Sequence, residues 1–339
     1  MIIRLLCAVA LVGATLTTTA PAQAAQRVTR FTEVDLVSDI PGRAAITDKH
    51  LVNPWGMSMG PRLWVSDADA DVSTVYSDAV RKEPLEVVVA GGPTGQVFNP
   101  GPRFRLDGRH PALFMFATES GTIAGWNPAA DATRAIVKAR VHDASFKGLA
   151  LLRGRFLLAA DFFHARVDVF DSHFRRLRTH GAFRDRGLPG GYAPFNVAVV
   201  GGSVFVAYAL QNDDRDEEVA GPGNGFVTQF SSSGRFLRRF VSRGPLNAPW
   251  AITVAPAGFG TFAGALLVGN FGDGRINAFD RHGRFLGPLR KQGGAALEIE
   301  GLWGLLPGTQ ANGGRDALWF AAGIDDEQHG LLGLIRPAS

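Results

Sequence analysis

LNAPWAITVAPAGFGTFAGALLVGNFGDGRINAFDRHGRFLG, residues Leu246–Gly287, holds four short apolar runs. They are Trp250–Val254, Ala265–Gly269, Arg275–Phe279 and Arg284–Leu289, separated by Pro, Gly, Asn and Asp. Short apolar runs between turn residues predict a four-stranded antiparallel meander. A meander of this length cannot bury both of its faces alone. It becomes stable when copies pack around an axis, as in a β-propeller.

The rest of the chain supplies those copies. The first has Pro54–Met57, Leu63–Asp67 and Val72–Tyr76; the second Gln96–Phe98, Leu113–Thr118 and Thr122–Trp126. The third has Lys147–Ala150, Phe156–Ala160 and Arg166–Phe170; the fourth Pro194–Val197, Val204–Tyr208 and Phe226–Phe230. Leu246–Gly287 is the fifth, and Leu302–Leu305, Ala317–Ala321 and Leu331–Ile335 make the sixth. The opening positions Trp55, Phe98, Lys147, Phe195, Trp250 and Trp303 recur at about 50 residues, a blade-sized period. The sixth copy stops after three strands. Phe31–Val37 is the candidate for its fourth, which would close the ring and remove two sheet edges. Pro84–Pro93 and Gln211–Asn224 read as excursions within blades, so residues 26–339 are expected to form one domain. The expected fold is all-β: a six-bladed β-propeller of four-stranded antiparallel blades, with the N-terminal strand completing the last.

Composition agrees with that class. The 339 residues include 42 Gly and 19 Pro, and no long amphipathic helical pattern follows the N-terminus. A net charge of +4 is small for this length and argues against a dedicated nucleic-acid binder, which normally shows a clustered basic stripe with a reading motif. Residues 1–25 read as a secretory signal peptide: Arg4, an apolar Leu5–Leu16, and Ala22-Gln23-Ala24 as the cleavage signal. The single cysteine, Cys7, would leave with it. Export near Ala24, to the periplasm or beyond, is therefore expected, without disulfides and without a membrane span.

The Pro-Trp-Gly opening followed by GNFGDGRINAFD (269–280) resembles the NHL-type repeat of six-bladed propellers. LVNPWG (51–56), PTGQVFN (93–99), YAPFNV (192–197), LNAPW (246–250), EGLWG (300–304) and DDEQHGLLG (325–333) extend the resemblance over most of the chain. More specifically, they resemble an uncharacterised family of secreted bacterial propellers, some with a PEP-CTERM sorting tail. This chain ends in Arg336-Pro337-Ala338-Ser339, without that tail. The resemblance implies fold and export and brings no activity with it.

Alternating strand directions put the turn before each first strand and the turn between second and third strands on one face. That front face would carry Asp67, Asp69, Asp71, Glu119, Asp161, Asp213, Asp214, Asp216, Glu217, Glu218, Asp273, Asp325, Asp326 and Glu327, 14 of the 31 acids. The back would carry Arg62, Arg81, Arg103, Arg105, Arg109, Arg153, Arg155, Arg175, Arg176, Arg235, Arg281 and Arg284. Around the axis, Trp55, Lys147, Phe195, Trp250 and Trp303, with Asp67, Glu119, Asp161 and Asn270 on the rim, form the candidate ligand site. An aromatic floor under carboxylates suits a sugar, by ring stacking, or a cationic ligand. The same tryptophans also read as plain packing between blades.

Metal-dependent six-bladed lactonases resemble this architecture but place Asn, Asp or Glu ligands where this chain has aromatics. Oxygen ligands one step outward, Asn53, Asn247 and Glu300, would suit Ca2+ or another divalent cation. Asp67, Asp69 and Asp71 form a second candidate, with D-x-D-x-D spacing but without the Gly and Glu of an EF-hand loop. His164 beside Asp161, and His329 beside Asp325, are candidate acid–base pairs. Three functions remain open: a binding module at the front face, a lactonase-like hydrolase using Asp161 or Asp325 as base, and a scaffold whose back binds anionic envelope polymers. The expected partner is a small molecule, carbohydrate or envelope component, and the expected state a monomer.

Overall fold

The computed structural model describes residues 29–77 and 81–338; the leader read in residues 1–25 lies outside them. The chain opens with β1 (Phe31–Ser38) and the two-residue β2 (Ile46–Thr47). Blade I is β3 (Pro54–Met59), β4 (Leu63–Asp67), β5 (Val72–Ser77) and β6 (Arg81–Val88); blade II is β7 (Pro93–Phe98), β8 (Phe114–Thr118), β9 (Thr122–Trp126) and β10 (Ile136–Arg140). Blade III is β11 (Phe146–Leu152), β12 (Phe156–Asp161), β13 (Arg166–Phe170) and β14 (Arg176–Leu177). Blade IV is β15 (Tyr192–Val200), β16 (Ser203–Leu210), β17 (Phe226–Phe230) and β18 (Phe236–Ser242). Blade V is β19 (Pro249–Val254), β20 (Leu266–Asn270), β21 (Ile276–Phe279) and β22 (Phe285–Pro288). Blade VI takes β23 (Leu302–Pro307), β24 (Leu318–Ile324) and β25 (His329–Pro337). Each blade is an antiparallel meander, and β3, β7, β11, β15, β19 and β23 contact one another in sequence around the axis.

The N-terminal strand closes the ring as the sequence implied. β1 pairs antiparallel with β25, from Phe31 opposite Pro337 to Ser38 opposite Leu331, and so becomes the fourth strand of blade VI. β2 then pairs parallel with β1 as a fifth, outermost strand. At two residues it is too short to show a period in sequence.

Two sequence readings need correction. Leu85–Val88, inside the expected excursion Pro84–Pro93, belongs to β6, the outer strand of blade I. Pro84 is accommodated there because the ladder breaks register around it, between Thr74–Glu86 and Tyr76–Lys82, where a missing N–H costs nothing. In blade II the residue equivalent to Trp55 is Thr94, four positions before Phe98, which ends β7 at the back. Pro93-Thr94-Gly95 carries no aromatic to mark the start of the copy.

Every innermost strand is bulged at the same place. The ladder skips Trp55 and Gly56, Thr94 and Gly95, Lys147, Phe195, Trp250 and Trp303. A bulge re-aims the unpaired side chain, here toward the axis. The residue that follows is small in five blades, because backbones meet closely there. A Cβ on Gly56 would lie 2.3 Å from Thr94 O, and one on Gly95 2.2 Å from Leu149 N. Both obstructions are backbone and cannot swing aside. Gly95→Ala is therefore expected to cost about 1–3 kcal/mol, read as a lower midpoint in urea.

The antiparallel order puts the β3–β4 turn, the end of β5 and the start of β6, and their equivalents, on the back. Many arginines there have local partners: Arg62 and Arg81 with Glu83, Arg175 with Asp171, Arg284 with Asp280. No helix among the described residues is long and apolar enough to cross a membrane.

Candidate functional site

The bulged side chains meet on the axis and plug it. Trp55 and Trp303 stack with ring centroids 3.4 Å apart, and Trp250 meets each edge-on at 6.0 Å. Phe195 tilts against Trp303 at 5.7 Å, and Phe271, from the turn after β20, covers Trp303 at 4.0 Å. Four blades thus contribute to one aromatic cluster, all its members but Phe271 buried. The indole N–H groups lock it: Trp250 Nε1 donates to Lys147 O across the axis, and Trp303 Nε1 to Asn53 Oδ1. The neighbours Trp55 and Phe271 already take up Trp303's stacking contacts. Behind the plug, the innermost strands of all six blades line a cavity of about 560 Å3 that opens to the back.

On the front of the plug sits Lys147, only 1% exposed. Its Nζ lies 5.2 Å from the centre of the Trp55 ring, where an ammonium is favoured. It donates to Glu119 Oε1 at 2.5 Å and lies 3.6 Å from Glu217 Oε1. Glu218 also acts on Lys147, and Glu119 on Asp69 and Glu327. Asn53 bridges plug and rim: its amide oxygen accepts from Trp303 and its Nδ2 donates to Glu327 Oε2 at 2.7 Å. One ammonium therefore faces four carboxyl groups, Glu119, Glu217, Glu218 and Glu327, with Asp69 close to Glu119.

The charge imbalance shows in their acidities. Burial pushes Glu218 up to about 8, against the pull of Lys147, and its Oε2 has no hydrogen-bond partner among the described residues. Burial, with the charges of Glu217 and Glu119, pushes Glu327 up to about 7. Asp69 and Glu217 are raised for the same reasons. Burial alone would lower Lys147, but Glu119, Glu217 and Glu218 outweigh it and hold the ammonium charged.

The other candidates have different surroundings. Asp67 is fully buried and accepts from Thr74 N and Oγ1 within its own hairpin, and Asp71 accepts from Gly91 N and Gly92 N. Of D-x-D-x-D only Asp69 reaches the axis, so the three carboxylates do not converge. Asp161 is fully buried between His164 and Arg166. Asn270 Nδ2 donates to Pro245 O and Asp273 Oδ1. Asp67, Asp161 and Asn270 end their second strands and tie the turn that follows. His329 pairs with Asp39 rather than with Asp325. Asn247 Oδ1 accepts from Gly221 N, Glu300 Oε1 from Asp325 N and Asn53 Oδ1 from Trp303 Nε1, so each of these three oxygens already has a donor within the protein. Among the described residues, metal-type donors converge at Asp48, His50 and Glu86, within 4.8 Å of one another. There Lys82 Nζ already bonds Asp48, at 2.6 Å, and Glu86.

Fold and axial site define a six-bladed β-propeller protein. No family model matches the chain. It belongs to one family with two proteins of Acanthamoeba polyphaga mimivirus. It is 36% identical to uncharacterized protein R648 over 322 residues, 88% of this chain and 78% of that one. It is 32% identical to uncharacterized protein L690 over 316 residues, 88% of this chain and 83% of that one. Among solved structures it is similar to a streptogramin B lyase, with a TM-score of 0.54 and 12% identity, covering 91% of this chain and 97% of that one. At that identity the likeness shows the fold.

Proposed function

We propose that this protein is an exported binding module that takes an amine-bearing, cationic ligand at the front of its axis. The observation behind this reading is the excess of carboxyl groups around one buried ammonium, over a plug with no free ring face on Trp303. A second positive charge would let Glu218 and Glu327 ionise, and the desolvated rim would strengthen its attraction. A sugar finds less there, because stacking on Trp303 would need the plug to open. The carboxylates are spread around Lys147 rather than gathered on a point, which favours an extended organic cation over a bare metal ion. Residues 1–25 and the resemblance to secreted bacterial propellers support export.

Spermidine is expected to raise the melting temperature by several degrees at concentrations well above its Kd, more than Ca2+ or neutral sugars do. Glu218→Gln combined with Glu327→Gln should remove most of that shift. An unchanged melting temperature with spermidine would reject the reading.

One observation favours a second reading, a hydrolase of the lactonase type. Carboxyl groups with pKa values of about 7 and about 8 keep protons to donate at neutral pH. Turnover of a lactone panel that is lost in Glu327→Gln would favour it over simple binding.

A further inference from the structure

On the back, between blades I and II, lies a cavity of about 330 Å3, within the size range of small-molecule sites. Its walls are aromatic: Trp64, Phe98, Phe114 and Trp126, joined by Pro61 and Pro84. Trp64 stacks on Phe114 at 3.9 Å and tilts against Trp126 at 4.9 Å, so the rings are held by one another before anything binds. Trp126 is only 4% exposed, yet its Nε1–H has no acceptor among the described residues. Trp55 and Trp319 share that lack; all three belong to packed core clusters, and of the three Trp126 borders this cavity. A buried donor without an acceptor carries its full desolvation penalty until something supplies one. The charged side chains of the wall, Arg62 and Glu83, pair with each other at 3.3 Å. Glu83 is shared with Arg81 as well, so no carboxylate of the wall is left unpaired to attract a cation.

We propose that this cavity is a binding site for a small, neutral, flat apolar molecule bearing one carbonyl oxygen. Its ring packs against Trp64, Phe114 and Trp126, and its oxygen accepts from Trp126 Nε1. The site lies on the opposite face from Lys147 and is independent of what binds there.

The test uses two probes of similar shape, 2-acetylnaphthalene and 2-ethylnaphthalene, titrated against the protein and followed by saturation-transfer NMR and calorimetry. Only the ketone offers an acceptor. Trp126→Phe keeps the ring and removes the donor. The ratio of ketone to hydrocarbon affinity is expected to fall about tenfold in that variant. Leu85→Trp, which fills the cavity from β6, should weaken both probes. Melting curves establish that each variant is folded; if Trp126→Phe does not fold, loss of both probes in Leu85→Trp together with ketone preference in the unaltered protein decides the question. Failure of both probes to bind, an affinity ratio unchanged in Trp126→Phe, or unchanged binding in Leu85→Trp would overturn the proposal. So would binding of a proline-rich peptide at this cavity in place of the naphthyl probes.

Discussion

A chain beginning at Asp39, without β1, is expected to lose cooperative unfolding altogether. β1 contributes seven ladder pairs with β25 and the buried side chains Phe31, Leu36 and Val37. Burying each such side chain stabilises by about 1.5–3 kcal/mol, while a whole domain is stable by only about 5–15 kcal/mol. Phe31 packs on Phe259 at 5.0 Å and Phe262 at 6.1 Å, so its loss also loosens the loop between β19 and β20. Deletion further exposes β25 as an apolar edge, with Leu332, Leu334 and Ile335 behind it. Since Phe31 lies opposite Pro337, residues 29–38 rejoined after Ala338 through a short turn should pair as a hairpin and restore the transition. Differential scanning calorimetry compares the three chains. A sharp transition in the shortened chain, within a few degrees of the full one, would refute closure by β1 as the source of cooperativity.

Lys147→Met is expected to be the most damaging single substitution at the axis. Methionine fits the volume but leaves Glu119, Glu217 and Glu218 facing one another without the ammonium. Removing one partner of a fully buried ion pair typically costs about 3–5 kcal/mol; Glu119 and Glu217 keep 34% and 59% of their side chains exposed, so the cost here falls below that range. The penalty depends on pH with a definite sign. Glu218 and Glu327 have folded pKa values of about 8 and about 7, above the ordinary 4.5. Between those limits the folded state holds more protons than the unfolded one, so stability falls as pH rises from about 5 to about 8. Lys147, itself raised above 10.5, stays charged throughout that window and loses its contribution only as pH climbs beyond its folded pKa. The variant should therefore be closest to the original protein near pH 5, where its carboxyl groups can take up protons, and furthest from it at pH 8. Urea midpoints at the two pH values measure this. A variant equally stable as the original at pH 8 would mean that the cluster is not held by Lys147.

The fold was legible because the repeat is written in residues that geometry requires. Pro-Trp-Gly at 54–56, Pro-Trp-Ala at 249–251 and Leu-Trp-Gly at 302–304 each combine a bulged axial side chain with a small residue at a close backbone approach. Where the motif loses its aromatic, at Pro93-Thr94-Gly95, the phase slips by four residues. Where a proline falls inside a strand, at Pro84, the strand reads as a loop. The site was legible in part. Trp55, Lys147, Phe195, Trp250 and Trp303 were placed on the axis by their position in the repeat, and Glu119 by its turn. That the aromatic rings would stack on one another follows from the radius of the channel, which no local pattern encodes. Glu217, Glu218 and Glu327 were assigned to the front face but not to Lys147, because their reach depends on how the 211–224 insertion and the β24–β25 turn fold back. Asp67, Asp161 and Asn270 stood out as polar residues ending strands. That same position ties them to their own hairpins, while the groups just beyond, Glu119 and Asp69, reach inward.

Isothermal titration of spermidine at pH 8.0 and pH 5.5, in low salt and in two buffers of different ionisation enthalpy, tests the proposed site most directly. Binding is expected at pH 8.0 and at least about tenfold weaker at pH 5.5, with protons released on binding as Glu218 and Glu327 ionise. Absence of binding at pH 8.0, or binding equal at both pH values with no proton release, would contradict a cation site built from the carboxyl groups around Lys147.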